Sequence, residues 1–134
     1  ALTRLDQDRS IWQIAEKTHS AVTDIAKVVV WGNHSPTMFP DLTWTTVKGK
    51  PLFDLVDKEW YTKTFVPKVQ KRCGEIMEAR GHTSAASAAN AILEHMRSWF
   101  LGHKHDWASF GVWSTGNPYG IPDGLFYDFP VTVE

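Results

Sequence analysis

The stretch that most constrains this chain is KVVVW at residues 27 to 31, which runs straight into Gly32, Asn33 and His34. Three successive β-branched residues favour extended backbone, because their branched Cβ atoms lose χ1 freedom against a helical turn. A strand points successive side chains to opposite faces, so an apolar run with no polar alternation reads as a strand buried on both sides. The loop of residues 32 to 42 then turns away through Pro36 and Pro40. His34 is thereby delivered to the mouth of a buried strand, where a rigid scaffold presents reactive groups.

The flanking segments supply the cover. Residues 3 to 17 are expected to be helical, with Thr3 or Asp6 capping the first turn and Leu5, Trp12 and Ala15 or Glu16 near one face. Asp6 and Arg9 are three apart and share a face. Residues 43 to 48 read as a strand that stops at Gly49, with Pro51 barring its immediate continuation. From Glu59 to Arg80 the spacing of Val66, Val69, Cys73, Ile76 and Met77 marks an amphipathic helix, with Pro67 in its first turn or kinking it.

After GHTS, the positions Ala85, Ala88, Ala89, Ile92, Met96 and Trp99 describe a core helix ending near Gly102. Residues 107 to 114 and 125 to 133 read as strands separated by the turn-rich GNPYGIPDG. Helices and strands mixed without regular βαβ alternation predict an α+β fold, with helices packed on a partly antiparallel sheet. A length of 134 residues, 43% of them hydrophobic, suits one core and so one domain.

Charge and cysteine content narrow the function. A formal net charge of -1 with no basic stripe gives no electrostatic case for nucleic acid or an anionic membrane as partner. The single Cys73 excludes an internal disulfide framework, and no apolar run approaches a bilayer span, so a reducing, cytoplasmic compartment is expected. The chain opens on Ala1 in a helical pattern and closes on LFYDFPVTVE, a strand, from which a fragment with further material beyond both ends is expected.

Two readings of His34 stand side by side: a histidine that bonds a loop carbonyl, and a proton-transfer group. For the second, Asp6 could accept one ring N–H and fix the tautomer, leaving the other nitrogen free. Arg9, one turn on, could grip a carboxylate through a bidentate fork, or could form only an exposed local ion pair with Asp6. His103 and His105 alternate in GHKHDW, but no carboxylate or further histidine stands at a set spacing, so no metal site is assigned. A metal-dependent hydrolase built on them and His34 is a distant alternative. His19, His82 and His95 read as surface or helix-face residues, and Cys73 as a structural thiol with no adjacent base in the sequence.

LTRLDQDR at positions 2 to 9, WGNHS at 31 to 35 with Pro40 and Asp41 closing the loop, TSAASAAN at 83 to 90 and GNPYGIPDG at 116 to 124 resemble the malate dehydrogenases of the cytosolic type, within the lactate and malate dehydrogenase superfamily. The resemblance covers essentially the whole chain. It implies that residues 1–134 are the substrate-binding C-terminal domain, truncated at both ends, with the nucleotide-binding domain outside the chain. It further implies His34 as proton donor and acceptor, Asp6 as its orienting carboxylate, and Arg9 as the holder of the substrate carboxylate. Thr83 and Ser84 match a segment lining the substrate and nicotinamide pocket.

The implied partners are malate and oxaloacetate, with NAD as cofactor and a homodimer as the assembly. The choice of NAD over NADP is read in the other domain. Likewise, the arginine that greets a second carboxylate in this superfamily lies on a loop outside this chain, so malate over lactate rests on family likeness. The alternative is a catalytically silent binding or dimerisation module of the same fold. Since no glycine-rich turn enters a helix after a strand here, the chain alone is expected neither to bind NADH nor to oxidise malate, and to be dimeric or larger.

Overall fold

The first helix, α1, spans Thr3–Thr18 and closes on His19 in the left-handed conformation. In this computed structural model residues 2–103 and 106–134 are described. Neither Thr3 nor Asp6 caps α1, contrary to the expectation from sequence: Leu2 holds the cap position without a side-chain bond, and both residues are buried within the first turns. Asp6 is unavailable as a cap because its carboxylate is turned onto His34. Trp12 shares the side of Leu5 but stays half exposed, lining a cavity with Arg72, Ile76 and Asn90, and Glu16 faces out.

The apolar run makes a strand over its last three residues only. β1 (Ile25–Ala26) and β2 (Val29–Trp31) are separated by Lys27, whose φ of 62° swings the chain from one sheet to another. That turn is fixed by Asp106, whose Oδ1 accepts the Lys27 N–H at 2.9 Å. Val28, Val29 and Val30 are nonetheless buried, as the run predicts. β2 pairs antiparallel with β3 (Phe39–Asp41), Val30 opposite Pro40.

β1 joins β4 (Thr46–Val47) and β5 (Lys50–Pro51) in a sheet of order β1-β4-β5. Lys48 and Gly49 both have positive φ, 51° and 77°, the conformation of a two-residue hairpin whose twist matches its strands. Pro51 therefore continues the sheet rather than stopping it, and does so on the edge strand, where its lack of an N–H costs no central ladder bond.

A short helix, α2 (Lys58–Trp60), is capped by Asp57, whose Oδ1 accepts the Trp60 N–H at 2.6 Å. It passes through a π turn at Tyr61–Phe65 into α3 (Val66–Arg80). Pro67 sits in the first turn of α3, and the wider turn before it, with Val66 N–H bonded to Tyr61 O, accommodates a residue that cannot donate. α4 (Ala86–Leu101) ends at Gly102 as expected. It is not a core helix: only Ala91, His95 and Ser98 are buried, while Leu93, Trp99, Phe100 and Leu101 lie exposed. His95, read from sequence as a surface or helix-face residue, lies on the buried face of α4 with its ring 4.0 Å from Phe110, and burial lowers its pKa.

β6 (Ala108–Trp113) and β7 (Phe126–Val131) form an antiparallel hairpin. Among the described residues every strand pairing is antiparallel and the strands fall into three small sheets, so the α+β class expected from sequence holds. No helix among the described residues is long and apolar enough to cross a membrane.

Two devices set α1 against β2 and the hairpin. Gly32 and Asp128 exchange backbone bonds, 2.9 Å and 2.6 Å, tying the end of β2 to β7. Gly32 does so at φ +105°, which only glycine adopts without strain, and from there the chain turns toward His34. The second is Gln7, buried in α1: its Nε2 donates to Val28 O at 2.9 Å and its Oε1 accepts the Ser109 N–H at 3.1 Å. Ser109 in turn accepts the Val30 N–H at 2.8 Å on its Oγ. Gln7→Leu keeps the volume but strands a buried carbonyl and a buried N–H. A stability loss of about 2–4 kcal/mol is expected in urea unfolding, since each such group costs about 1–3 kcal/mol; a loss within about 0.5 kcal/mol would show that the network does not hold these elements.

Candidate active site

Asp6 and His34 come from elements 28 residues apart in sequence and meet at 2.6 Å, Asp6 Oδ2 to His34 Nδ1. α1 carries the carboxylate into the interior, where Asp6 is wholly buried, and the turn after Gly32 brings the imidazole onto it. Burial raises the Asp6 pKa, against the lowering by the His34 hydrogen bond and charge and by the Arg9 charge, with Asp128 adding to the rise. An ionised Asp6 only accepts, so Nδ1 carries the hydrogen and Nε2 is the atom that His34 presents outward.

Arg9, one turn along α1, completes the group. Its Nη1 stands 3.7 Å from Asp6 Oδ1, an oxygen with no hydrogen-bond partner among the described residues. Its Nη2 donates to Ser84 Oγ at 3.4 Å. The exposed ion pair that sequence allowed is excluded, because both side chains are largely or wholly buried. Asp6, Arg9, His34 and Ser84 are thus brought together. Thr83 is exposed, and the contact it makes is through its backbone oxygen, 3.1 Å from His82 Nδ1.

One member of the cluster was read differently from sequence. Cys73, on α3, has no base beside it in the chain, yet its Sγ lies 3.3 Å from His34 Nε2 and 3.0 Å from Arg9 Nη1. It is half-buried rather than buried. No spacing signals this contact, because its partners stand on other elements. Asp128 is a second residue that sequence did not single out: it is buried close enough for the His34 charge to oppose the burial that raises its pKa. His103 meets Ser98 Oγ at 3.2 Å through Nδ1, and His105 lies outside the described residues.

His34 faces a cavity of about 490 Å³ whose walls include Ser35, Met38, Gln70 and Cys73. Arg9 faces another of about 340 Å³ with Asp8, Trp12 and Asn90. The arrangement offers a buried carboxylate that fixes an imidazole, a second ring nitrogen, 3.3 Å from the Cys73 thiol, that can move a proton, and a guanidinium able to hold an anion next to it.

Residues 3–134 match the family described as lactate/malate dehydrogenase, alpha/beta C-terminal domain. Among solved structures, the malate dehydrogenase of Naegleria fowleri is 45% identical with a TM-score of 0.88 over 97% of this chain and 40% of its own. A Trichomonas vaginalis lactate dehydrogenase, solved in complex with NADH and oxamate, is 38% identical with a TM-score of 0.91 over 97% of this chain and 41% of its own. The malate dehydrogenase of Salinibacter ruber is 28% identical with a TM-score of 0.83, covering 96% and 41%. The chain therefore spans about two fifths of the length of these solved chains.

Proposed function

From the premise that this chain belongs to the lactate/malate dehydrogenase family, as its alpha/beta C-terminal domain, we propose that it is the substrate-binding part of an enzyme of the cytosolic malate dehydrogenase type. In this reading it interconverts malate and oxaloacetate beside a nucleotide-binding domain outside residues 1–134. The observation that carries the reading is the 2.6 Å contact of Asp6 with His34 and the largely buried Arg9 alongside.

The residues divide the work as follows. Arg9 receives the C1 carboxylate in a bidentate fork, Ser84 beside it and Thr83 at the rim. His34 Nε2 takes the C2 hydroxyl proton as the carbonyl forms, and returns it in the reverse direction. Asp6 holds the ring so that Nδ1 keeps its hydrogen throughout. When bound, a nicotinamide cofactor, NAD in this reading, accepts or supplies the hydride at C2. The cavity beside the proton-transfer group leaves room for the nicotinamide end of that cofactor. No glycine-rich turn between strand and helix exists in the sequence to grip its pyrophosphate, and that grip is assigned to the other domain. NADH in the Trichomonas relative supports the class of cofactor. The apolar residues that α4 leaves exposed support a homodimer, and the single free cysteine a cytoplasmic location.

The test is NADH consumption by the full-length dehydrogenase with oxaloacetate and with pyruvate. A kcat/KM for oxaloacetate at least about a hundredfold above that for pyruvate is expected, the scale on which a charged group discriminates. Preference for pyruvate would assign the enzyme to lactate, and no NADH consumption with either would end the reading.

A further inference from the structure

We infer that Cys73 is a specificity-determining gate of this site, its thiol standing between His34 Nε2 and Arg9 Nη1. The inference rests on the function proposed above and names a residue which that function does not use. Two observations converge on it. Cys73 lines the cavity of about 490 Å³ with His34, whereas Arg9 lines the separate one of about 340 Å³. Its Sγ contacts both functional nitrogens, His34 Nε2 at 3.3 Å and Arg9 Nη1 at 3.0 Å.

A 2-oxo or 2-hydroxy acid that uses both groups must put its C2 oxygen on Nε2 and its carboxylate on the guanidinium, each at about 2.7–3.0 Å. The sulfur already fills both approaches, so thiol and substrate exclude one another. Cysteine has a single side-chain torsion, and in a helix one of the three staggered wells is disfavoured, so one rotation clears the path and leaves one alternative resting place. That rotation frees His34 Nε2 and Arg9 Nη1 together. The thiol thus acts as a competitor held in place by the fold, and it limits the site to slender acids that fit beside a displaced sulfur.

Steady-state kinetics and NADH binding of the full-length enzyme test this with Cys73→Ala and Cys73→Met. Removing the competitor is expected to lower KM for oxaloacetate about three- to tenfold, the fold-change equivalent of one net hydrogen bond. Filling the space between the two nitrogens with methionine is expected to raise KM more than about tenfold, with the change in kcat smaller than that in KM and NADH affinity the same in both variants. An unchanged or higher KM in Cys73→Ala overturns the gate. So does methionine leaving KM as it was in an enzyme that melts like the wild type. A wild-type enzyme that turns over no 2-oxo acid removes the proposed function and the gate together; one that turns over oxaloacetate with the same KM in all three proteins removes the gate alone.

Discussion

His34→Asn in the full-length dehydrogenase is expected to lower turnover by about 10²–10⁴-fold while NADH still binds with its wild-type affinity. An amide neither gains nor releases a proton near pH 7, so the C2 hydroxyl loses its acceptor while the wall around it remains. Asparagine is the more telling variant than alanine, because Asp6 is wholly buried and its Oδ1 already lacks a hydrogen-bond partner among the described residues. Leaving Oδ2 bare as well would add a stability loss of about 3–5 kcal/mol, the cost of breaking a buried pair, and blur the kinetic effect. Single-turnover measurement of NADH oxidation at saturating oxaloacetate separates the chemical step from binding. A rate within about tenfold of wild type would take the imidazole out of the mechanism.

The sequence made some of this legible and hid the rest for definite reasons. Helices α1 and α3 and the strands of the β6–β7 hairpin follow from local pattern, although α3 buries only Val69 fully. The break at Lys27 does not, since a left-handed lysine carries no signal in composition; Asp106 fixes it from 79 residues away. α4 misled for another reason. Its apolar content says that something should cover it, not that the rest of these residues does.

The site divides the same way. His34 stands out by its place at the end of a strand, but the residues alone leave its pairing with Asp6 as one of two readings, and the resemblance favours it. Cys73 could not be found at all: its contacts to His34 and Arg9 cross 39 and 64 residues, and its own helix shows only a small apolar residue on a half-buried face. The polar staple of Gln7 and Ser109 spans 102 residues and looks, in sequence, like two ordinary surface side chains.

Arg9→Gln is the second large effect expected, and it falls on binding rather than on proton transfer. Two charge-assisted bonds to a carboxylate are worth about 1.5–3 kcal/mol each. Glutamine keeps one neutral donor, so a loss of about 3–4 kcal/mol remains, or roughly 10²–10³-fold in kcat/KM for oxaloacetate. NADH, which offers no carboxylate to this position, should bind as before. The variant carries a second signature because of where Arg9 stands. Its charge lowers the Asp6 pKa against the burial that raises it, so its removal lets that pKa rise further. Below the Asp6 pKa the carboxyl is neutral and no longer obliges Nδ1 to hold the hydrogen, so the acid limb of the kcat profile should move to higher pH. Arg9→Lys, which keeps the charge but not the fork, should restore the acid limb while recovering only part of the affinity. Unaltered oxaloacetate kinetics with weakened NADH binding would assign Arg9 to the nucleotide instead.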